Sequence, residues 1–197
     1  MADTAQSDII VAGTGPAGMI AALGLAREGF SVLLAGPPAR RDDGRTTALM
    51  MPALHYLDSI GLPAFPADVA APLASMRIVD ATRRLIRSAP VTFRAAEIDE
   101  PAFGMNIPNK ALNAMLEAAV EAEAGIAWRQ TMIANWTIST DRVEAELSDG
   151  TRVSGLLAVA ADGRASPARA AAGISMRTYA YKQSALVVNF GHSRPHG

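Results

Sequence analysis

Ile9-Ile10-Val11-Ala12-Gly13-Thr14-Gly15-Pro16-Ala17-Gly18-Met19 is the stretch on which the reading of this chain turns. An apolar run enters Gly-x-Gly-x-x-Gly, and residues 20–26 continue in a helical pattern. This is how a Rossmann-type fold presents a dinucleotide pyrophosphate to a helix N-terminus. Gly13 allows the tight turn out of the strand. Gly15 lets the backbone approach the phosphates with no Cβ in the way, and Gly18 lets the helix pack closely on the strand. Pro16 falls at or near the first helical position, where its missing N–H costs nothing, and Ala17 completes the turn that faces the phosphates. Free N–H groups and the helix dipole then meet the anion, the dipole contributing roughly 0.3–1 kcal/mol at an exposed site. A second apolar strand over residues 31–35 supports the dinucleotide reading against its rival, a plain structural turn in some other α/β protein.

Composition points to a globular enzyme domain. Half of the 197 residues are hydrophobic, 19% are charged and the net charge is -1, which argues against both disorder and a nucleic-acid partner. There is no cysteine, so there is no disulfide framework, thiol nucleophile or cysteine metal site. His55, His192 and His196 show no metal-ligand spacing, and no metal is expected. Residues 9–26 are uncharged, but glycines and a proline interrupt them and no Lys or Arg precedes them. They read as strand-turn-helix, not as a targeting segment. A cytoplasmic location is the expectation.

Further along, residues 54–60 read as a short helix ending at Gly61, and residues 76–80 and 84–87 as two strands around a tight polar turn. Residues 110–124 place Ala111, Leu112, Met115, Leu116, Ala119 and Val120 on one helical face. Three strands are predicted over 133–139, 142–147 and 151–159, the last two joined by the Asp149-Gly150 hairpin signal. Within the last of them, residues 156–161 form an apolar run that reads as a buried strand. It ends in Asp162-Gly163-Arg164-Ala165-Ser166, with a short helix over 167–172 and Gly173 as its cap. An Asp-Gly at the C-terminal end of a parallel strand lies where α/β folds bind ligands. Asp162 can accept from ribose hydroxyls or merely organise the turn.

Gly13-x-Gly15-x-x-Gly18, Gly44-Arg45-Thr46-Thr47-Ala48-Leu49 and Ala161-Asp162-Gly163-Arg164-Ala165-Ser166-x-x-Arg169 together resemble the FAD-dependent aromatic hydroxylases, the para-hydroxybenzoate hydroxylase-like superfamily. With Tyr181-Lys182-Gln183-Ser184-Ala185-Leu186, the likeness leans to the UbiH-like ring hydroxylases of ubiquinone biosynthesis. The resemblance implies an α/β, Rossmann-like FAD-binding fold of the glutathione-reductase type with inserted antiparallel strands. Residues 1–72 and 107–175 would form a discontinuous FAD-binding subdomain, and residues 73–106 and 176–197 the start of a substrate-binding β subdomain. Gly13, Gly15, Pro16, Ala17 and Gly18 would hold the FAD pyrophosphate. Arg45 would reach a phosphate or the ribitol, unless it is a solvated loop arginine. Asn109 would touch the flavin with its amide, serve as a helix N-cap, or do both. Asp162 and Gly163 would serve FAD and NAD(P)H, and Tyr181 and Gln183 would approach the substrate.

The implied activity is hydroxylation of a phenolic or quinol ring, small or prenylated, with FAD as cofactor, NAD(P)H as co-substrate and dioxygen as oxidant. No catalytic side chain is singled out. A lipophilic substrate would bring the protein loosely against a membrane, peripheral to the inner membrane, although no basic amphipathic helix supports this. Two departures stand out. Dinucleotide folds usually carry an Asp or Glu at the end of the second strand, about 20 residues past the first glycine. Here that strand ends in Ala35-Gly36-Pro37-Pro38, and the nearest acids, Asp42 and Asp43, follow Arg40 and Arg41. The arginine pair also suits a 2′-phosphate, which keeps a pyridine-nucleotide oxidoreductase open as an alternative. In addition, the family's later Gly-Asp motif finds no match, so the sequence resembles the N-terminal portion of a longer enzyme. That leaves a truncated, non-catalytic nucleotide-binding module as a third reading.

Overall fold

The computed structural model describes residues 5–39, 43–188 and 193. In chain order β1 (Ala5–Gln6), β2 (Ile9–Ala12), α1 (Pro16–Arg27) and β3 (Val32–Ala35) come first. Next are β4 (Thr46–Met50), α2 (Met51–Ser59), β5 (Ala71–Pro72), β6 (Ser75–Ile78), β7 (Val91–Arg94), the 3-10 turn η1 (Ala95–Ile98) and β8 (Gly104–Pro108). Then follow α3 (Asn109–Ala122), β9 (Ile126–Arg129), β10 (Ile133–Ile138), β11 (Val143–Leu147), β12 (Arg152–Gly155), β13 (Leu157–Ala160) and α4 (Pro167–Ala171). These elements fall into two compact units, one built from described residues of 1–43 and 112–184, the other from those of 44–111 and 185–197.

The first unit is organised by a parallel sheet of order β13-β2-β3-β9. β2 and β3 are apolar at every position because both of their faces are covered, the signature of an inner parallel strand. Their register pairs Ile10 with Leu33 and Val11 with Leu34. Met19, Ala22, Leu23 and Ala26 of α1 are buried, and each of the larger pair contributes roughly 1.5–3 kcal/mol by leaving water. At the base of the sheet the Asp8 carboxylate accepts from the Ser31 amide (2.8 Å) and hydroxyl (2.6 Å). These bonds hold its pKa below the ordinary carboxylate value. A second sheet, β1-β12-β11-β10, packs Ala145, Leu147 and Val153 against Ile10 and Leu33. The predicted Asp149-Gly150 hairpin joins β11 to β12, with Gly150 at φ +84°.

The predicted strand over 151–159 is in fact two strands in different sheets. Leu156 separates them, and the amides of both Leu156 and Leu157 donate to Asp8 O (2.9 and 3.2 Å). Its second half is not buried as expected. Leu156 and Leu157 are 68% and 55% exposed, because among the described residues β13 pairs with β2 alone. In the second unit β4-β8-β5 is antiparallel, with Pro72 tolerated on the edge strand β5. Leu57, Leu62, Ala70, Ala95, Ala102 and Ile107 are its buried apolar residues among those described.

Residues 84–87 are not a strand either. The partner of β6 is β7, ten residues further than a tight turn would allow: Met76 faces Phe93 and Ile78 faces Val91. The intervening loop is closed by Asp80, whose carboxylate accepts from the Thr82 amide (2.9 Å) and the Ser88 amide (3.2 Å). The start of α1 agrees with the sequence reading, whereas α2 begins three residues earlier than expected. α1 opens at Pro16, its first helical residue, and α2 at Met51, with Pro52 in its first turn. Strands β4, β8 and β9 were not anticipated. Arg40, Arg41, Asp42, His192 and His196 lie outside the described residues.

Candidate functional site

The glycine turn sits at the C-terminal end of β2 and leads directly into α1. Gly13 has φ +105°, and a Cβ built on it would meet Ala161 O at 2.3 Å and Asp162 N at 2.9 Å. The first glycine is therefore pressed against the end of β13, and the two motifs that lie far apart in sequence form one surface. The Ala161 amide donates to Ala12 O (2.8 Å), extending the parallel ladder to the lip of the turn. A Cβ on Gly18 would lie 1.9 Å from Gly13 O, so the helix crosses its own turn at backbone contact.

Gly15 differs from both. It precedes α1 in an extended conformation, and a Cβ there would meet nothing within 4 Å. No side chain caps α1, and its first turn carries no acid. The first intrahelical bond runs from the Met19 amide to Gly15 O. The amides of Ala17 and Gly18 therefore precede the helix's own hydrogen-bond ladder. An open approach, an uncapped N-terminus and unspent donors are what an anionic diphosphate requires, so these residues fit the pyrophosphate of a dinucleotide such as FAD.

Asp162 and Gly163 follow β13. One oxygen of Asp162, Oδ2, accepts from the Ala168 amide (2.9 Å), while the Ser166 hydroxyl oxygen accepts from the Arg169 amide (2.9 Å). Together they satisfy the first-turn donors of α4. The other oxygen, Oδ1, is buried with no hydrogen-bond partner, an unused acceptor at the carboxyl end of the parallel sheet. Gly163 (φ +87°) has open space where a Cβ would stand. Asp162 also borders a mainly apolar cavity of about 550 Å³ lined by Trp136, Ile138, Leu157 and Ala160. Asp162→Ala is expected to destabilise the unit by about 1–3 kcal/mol, because the Ala168 amide loses its acceptor. Thermal melts of Asp162→Ala beside Asp162→Asn will check this, the asparagine variant retaining an acceptor for Ala168.

Where a carboxylate usually stands at the end of the second strand, the structure supplies a physical reason for its absence. A Cβ on Gly36 would meet Thr14 Oγ1 at 2.6 Å. The Thr14 side chain is buried in that space, its hydroxyl donating to Pro37 O. The Trp128 indole N–H donates to Gly36 O (3.0 Å), and the Ala39 amide donates to Glu117 Oε1 (2.6 Å). The loop leaving β3 is thus fastened by Thr14, Trp128 and Glu117, none of which was selected from the sequence. The missing strand-end acid was the signal that could have prompted a search for Glu117, an acid on the partly buried side of α3. Glu117→Ala is expected to raise hydrogen exchange at the Ala39 amide about tenfold, equivalent to about 1.4 kcal/mol. Amide exchange by NMR checks it, with the β2 amides unchanged as control.

The second unit gathers Arg45 and Asn109. The Asn109 amide donates to Arg45 O (2.9 Å), and the Thr47 hydroxyl donates to Asn109 Oδ1 (2.6 Å). Asn109 is the first residue of α3, and β4 beside β8 fixes this arrangement by pairing Thr46 with Pro108 and Thr47 with Ile107. Tyr181 and Gln183 lie in an exposed stretch with neither helix nor strand. Tyr181 is 77% exposed and packs edge-on against Tyr179 at 5.1 Å between ring centres. Among the described residues no cluster of three or more His, Cys, Asp or Glu is placed to hold a metal ion, and no helix is long and apolar enough to cross a membrane.

Comparison with known proteins places this turn in context. Residues 6–196 match the FAD binding domain family. The chain belongs to that family. It is 31% identical over 201 residues to the ubiquinone hydroxylase UbiL of Rhodospirillum rubrum, covering 96% of this chain and 45% of the relative. It is 29% identical over 193 residues to the 3-demethoxyubiquinol 3-hydroxylase of Escherichia coli, covering 93% and 48%. The chain thus spans about half the length of these relatives. Among solved structures, a PqsL variant of P. aeruginosa superposes with a TM-score of 0.71 at 21% identity over 89% of this chain and 48% of that one. The flavin-dependent monooxygenase PieE, solved with FAD and substrate, gives 0.67 at 21% over 88% and 33%. At that identity the likeness is one of fold: a family member with an FAD-binding architecture of mixed α/β class.

Proposed function

We propose that this chain forms the FAD-holding part of a monooxygenase that hydroxylates an electron-rich phenolic or quinol ring, of the ubiquinone-precursor type, at the expense of NAD(P)H and dioxygen. The observation that carries the proposal is the contrast among the three glycines. Gly13 and Gly18 are closed against backbone, and Gly15 is open above an uncapped helix. The relatives named above support the ring-hydroxylase reading over other uses of the fold.

In this proposal the amides at the start of α1 bind the diphosphate, with Gly13 setting the turn and Pro16 and Ala17 shaping it. Arg45 offers a forked, permanently charged donor to a phosphate or to the ribitol chain. Asn109, oriented by Thr47, presents its amide to the flavin. Asp162 Oδ1 would accept a hydrogen bond from a cofactor hydroxyl, and Gly163 leaves room for its approach. Tyr181 and Gln183 face the substrate. The chemistry supplied by the bound flavin is reduction by NAD(P)H and activation of dioxygen for transfer of one oxygen atom to the ring. Peripheral contact with the inner membrane fits a prenylated substrate.

The test is the visible absorbance spectrum of the purified chain after incubation with FAD and desalting. Retained flavin bands support the proposal. A folded chain that stays colourless with FAD but quenches its tryptophan emission on adding NADPH overturns it in favour of a pyridine-nucleotide oxidoreductase. That second reading has one observation behind it: no acid stands at the end of β3, so a 2′-phosphate would meet no carboxylate there.

A further inference from the structure

The β6–β7 hairpin is two-faced. Met76 and Phe93, and Ile78 and Val91, stand opposite each other on one face; Ser75 and Arg94, and Arg77 and Thr92, occupy the other. All four apolar residues are exposed. The loop between the strands carries Arg83-Arg84-Leu85-Ile86-Arg87 at its tip. Leu85 is fully exposed and Ile86 is 86% exposed. The span from Ser75 to Arg94 contains five arginines and a single acid, Asp80. That acid is already engaged in closing the loop through the Thr82 and Ser88 amides. No arginine of the tip has an ion pair among the described residues.

We infer that this hairpin is a docking element for an anionic lipid surface, entering the headgroup region with Leu85 and Ile86 while Arg83, Arg84 and Arg87 engage phosphates. Two adjacent apolar side chains projecting fully into water at a loop tip mark an interaction site. The arginines decide what kind. A protein surface covering Leu85 and Ile86 would also desolvate three neighbouring guanidinium groups, each needing its own carboxylate. A phospholipid headgroup layer gives the same groups phosphate partners in bidentate geometry and leaves them wet. The Asp80 clasp satisfies the Thr82 and Ser88 amides at the base of the loop. The inference is independent of which reaction the protein catalyses.

Co-sedimentation of the 197-residue chain with vesicles tests it, using phosphatidylcholine mixed with phosphatidylglycerol and phosphatidylcholine alone. The expected result is binding to the mixed vesicles that weakens as salt is raised. Leu85→Ser combined with Ile86→Ser should reduce it about tenfold or more. Neutralising Arg83, Arg84 and Arg87 to Gln should reduce it on the order of a hundredfold, at roughly fivefold per basic residue. Both variants should keep the parent melting temperature, since the tip makes no buried contact. Absence of binding by the parent chain, or equal partitioning of the serine variant, overturns the inference. So does self-association of the parent chain in vesicle-free buffer that the serine variant abolishes, which would assign the tip to a second copy of the chain.

Discussion

Gly15→Val is expected to fold like the parent chain and to lose its flavin. The two halves of that outcome have separate causes. On the folding side, Gly15 has φ -70° and ψ 170°, a conformation that any L-residue adopts. A Cβ at this position meets no atom within 4 Å. The remaining penalty is the poor capping quality of valine at a helix N-terminus, about 1 kcal/mol or less. On the binding side, the valine methyls occupy the approach to the amides that open α1. Displacing an anion from two charge-assisted hydrogen bonds at about 1.5 kcal/mol each costs about 3 kcal/mol, on the order of a hundredfold in affinity. Equilibrium titration with FAD, followed by flavin fluorescence, together with a thermal melt of the same sample, reads both quantities. Undiminished FAD binding by Gly15→Val would remove the α1 N-terminus from the cofactor site and with it the main support for the proposed function.

The parts of this fold that were legible beforehand are those where a residue's neighbours in sequence decide its environment. β2 and β3 announce themselves because an inner parallel strand is apolar at consecutive positions, and the turn between β2 and α1 because only glycine fits at position 13. α3 was legible from the spacing of Leu112, Leu116 and Val120, all of which are buried. What escaped depends on partners distant in the chain. Nothing local distinguishes residues 152–155 from 157–160 as members of different sheets; the break comes from Asp8 O taking two successive amides at Leu156 and Leu157. The apolar run at 156–161 read as buried because hydrophobic sequence cannot report which side of a sheet lacks a neighbour. Residues 84–87 suggested a strand because a tight polar turn was expected after residue 80, and only the cross-strand match of Met76 with Phe93 shows the true pairing.

The same limit applies to the candidate site. The glycines and Asp162 were visible as motifs, whereas Thr14, Trp128 and Glu117 act through contacts spanning 23, 92 and 78 positions. The vacancy at the end of β3 was visible, but its cause was not. Thr14 lies inside the glycine motif at a position the pattern leaves free, yet its side chain is what excludes a residue larger than glycine at position 36.

Gly13→Ala should produce the opposite phenotype to Gly15→Val, with the fold itself failing first. Two penalties act together at this position. A backbone φ of +105° is strained for any residue with a Cβ, costing about 1–3 kcal/mol. The new methyl would also lie 2.3 Å from Ala161 O and 2.6 Å from its carbonyl carbon. Neither strand can yield cheaply, because β2 and β13 are locked by four parallel pairs from Ile9–Leu157 to Ala12–Ala160. Overpacking of this kind adds about 1–3 kcal/mol, for a total of about 2–6 kcal/mol against a typical domain stability of about 5–15 kcal/mol. At about 2–4 °C per kcal/mol for a chain of this size, the melting temperature should fall by roughly 4–24 °C. Gly29→Ala separates the two causes, since Gly29 shares the positive φ (+93°) but has nothing within 4 Å of its Cβ position. Its melting temperature should fall by the strain contribution alone. Gly18→Ala, with Gly13 O at 1.9 Å and no positive φ, isolates the clash. If Gly13→Ala melted no lower than Gly29→Ala, β13 would not press on the glycine turn. Asp162 would then lose its place beside the first motif, and the common surface on which the proposed cofactor site rests would have to be given up.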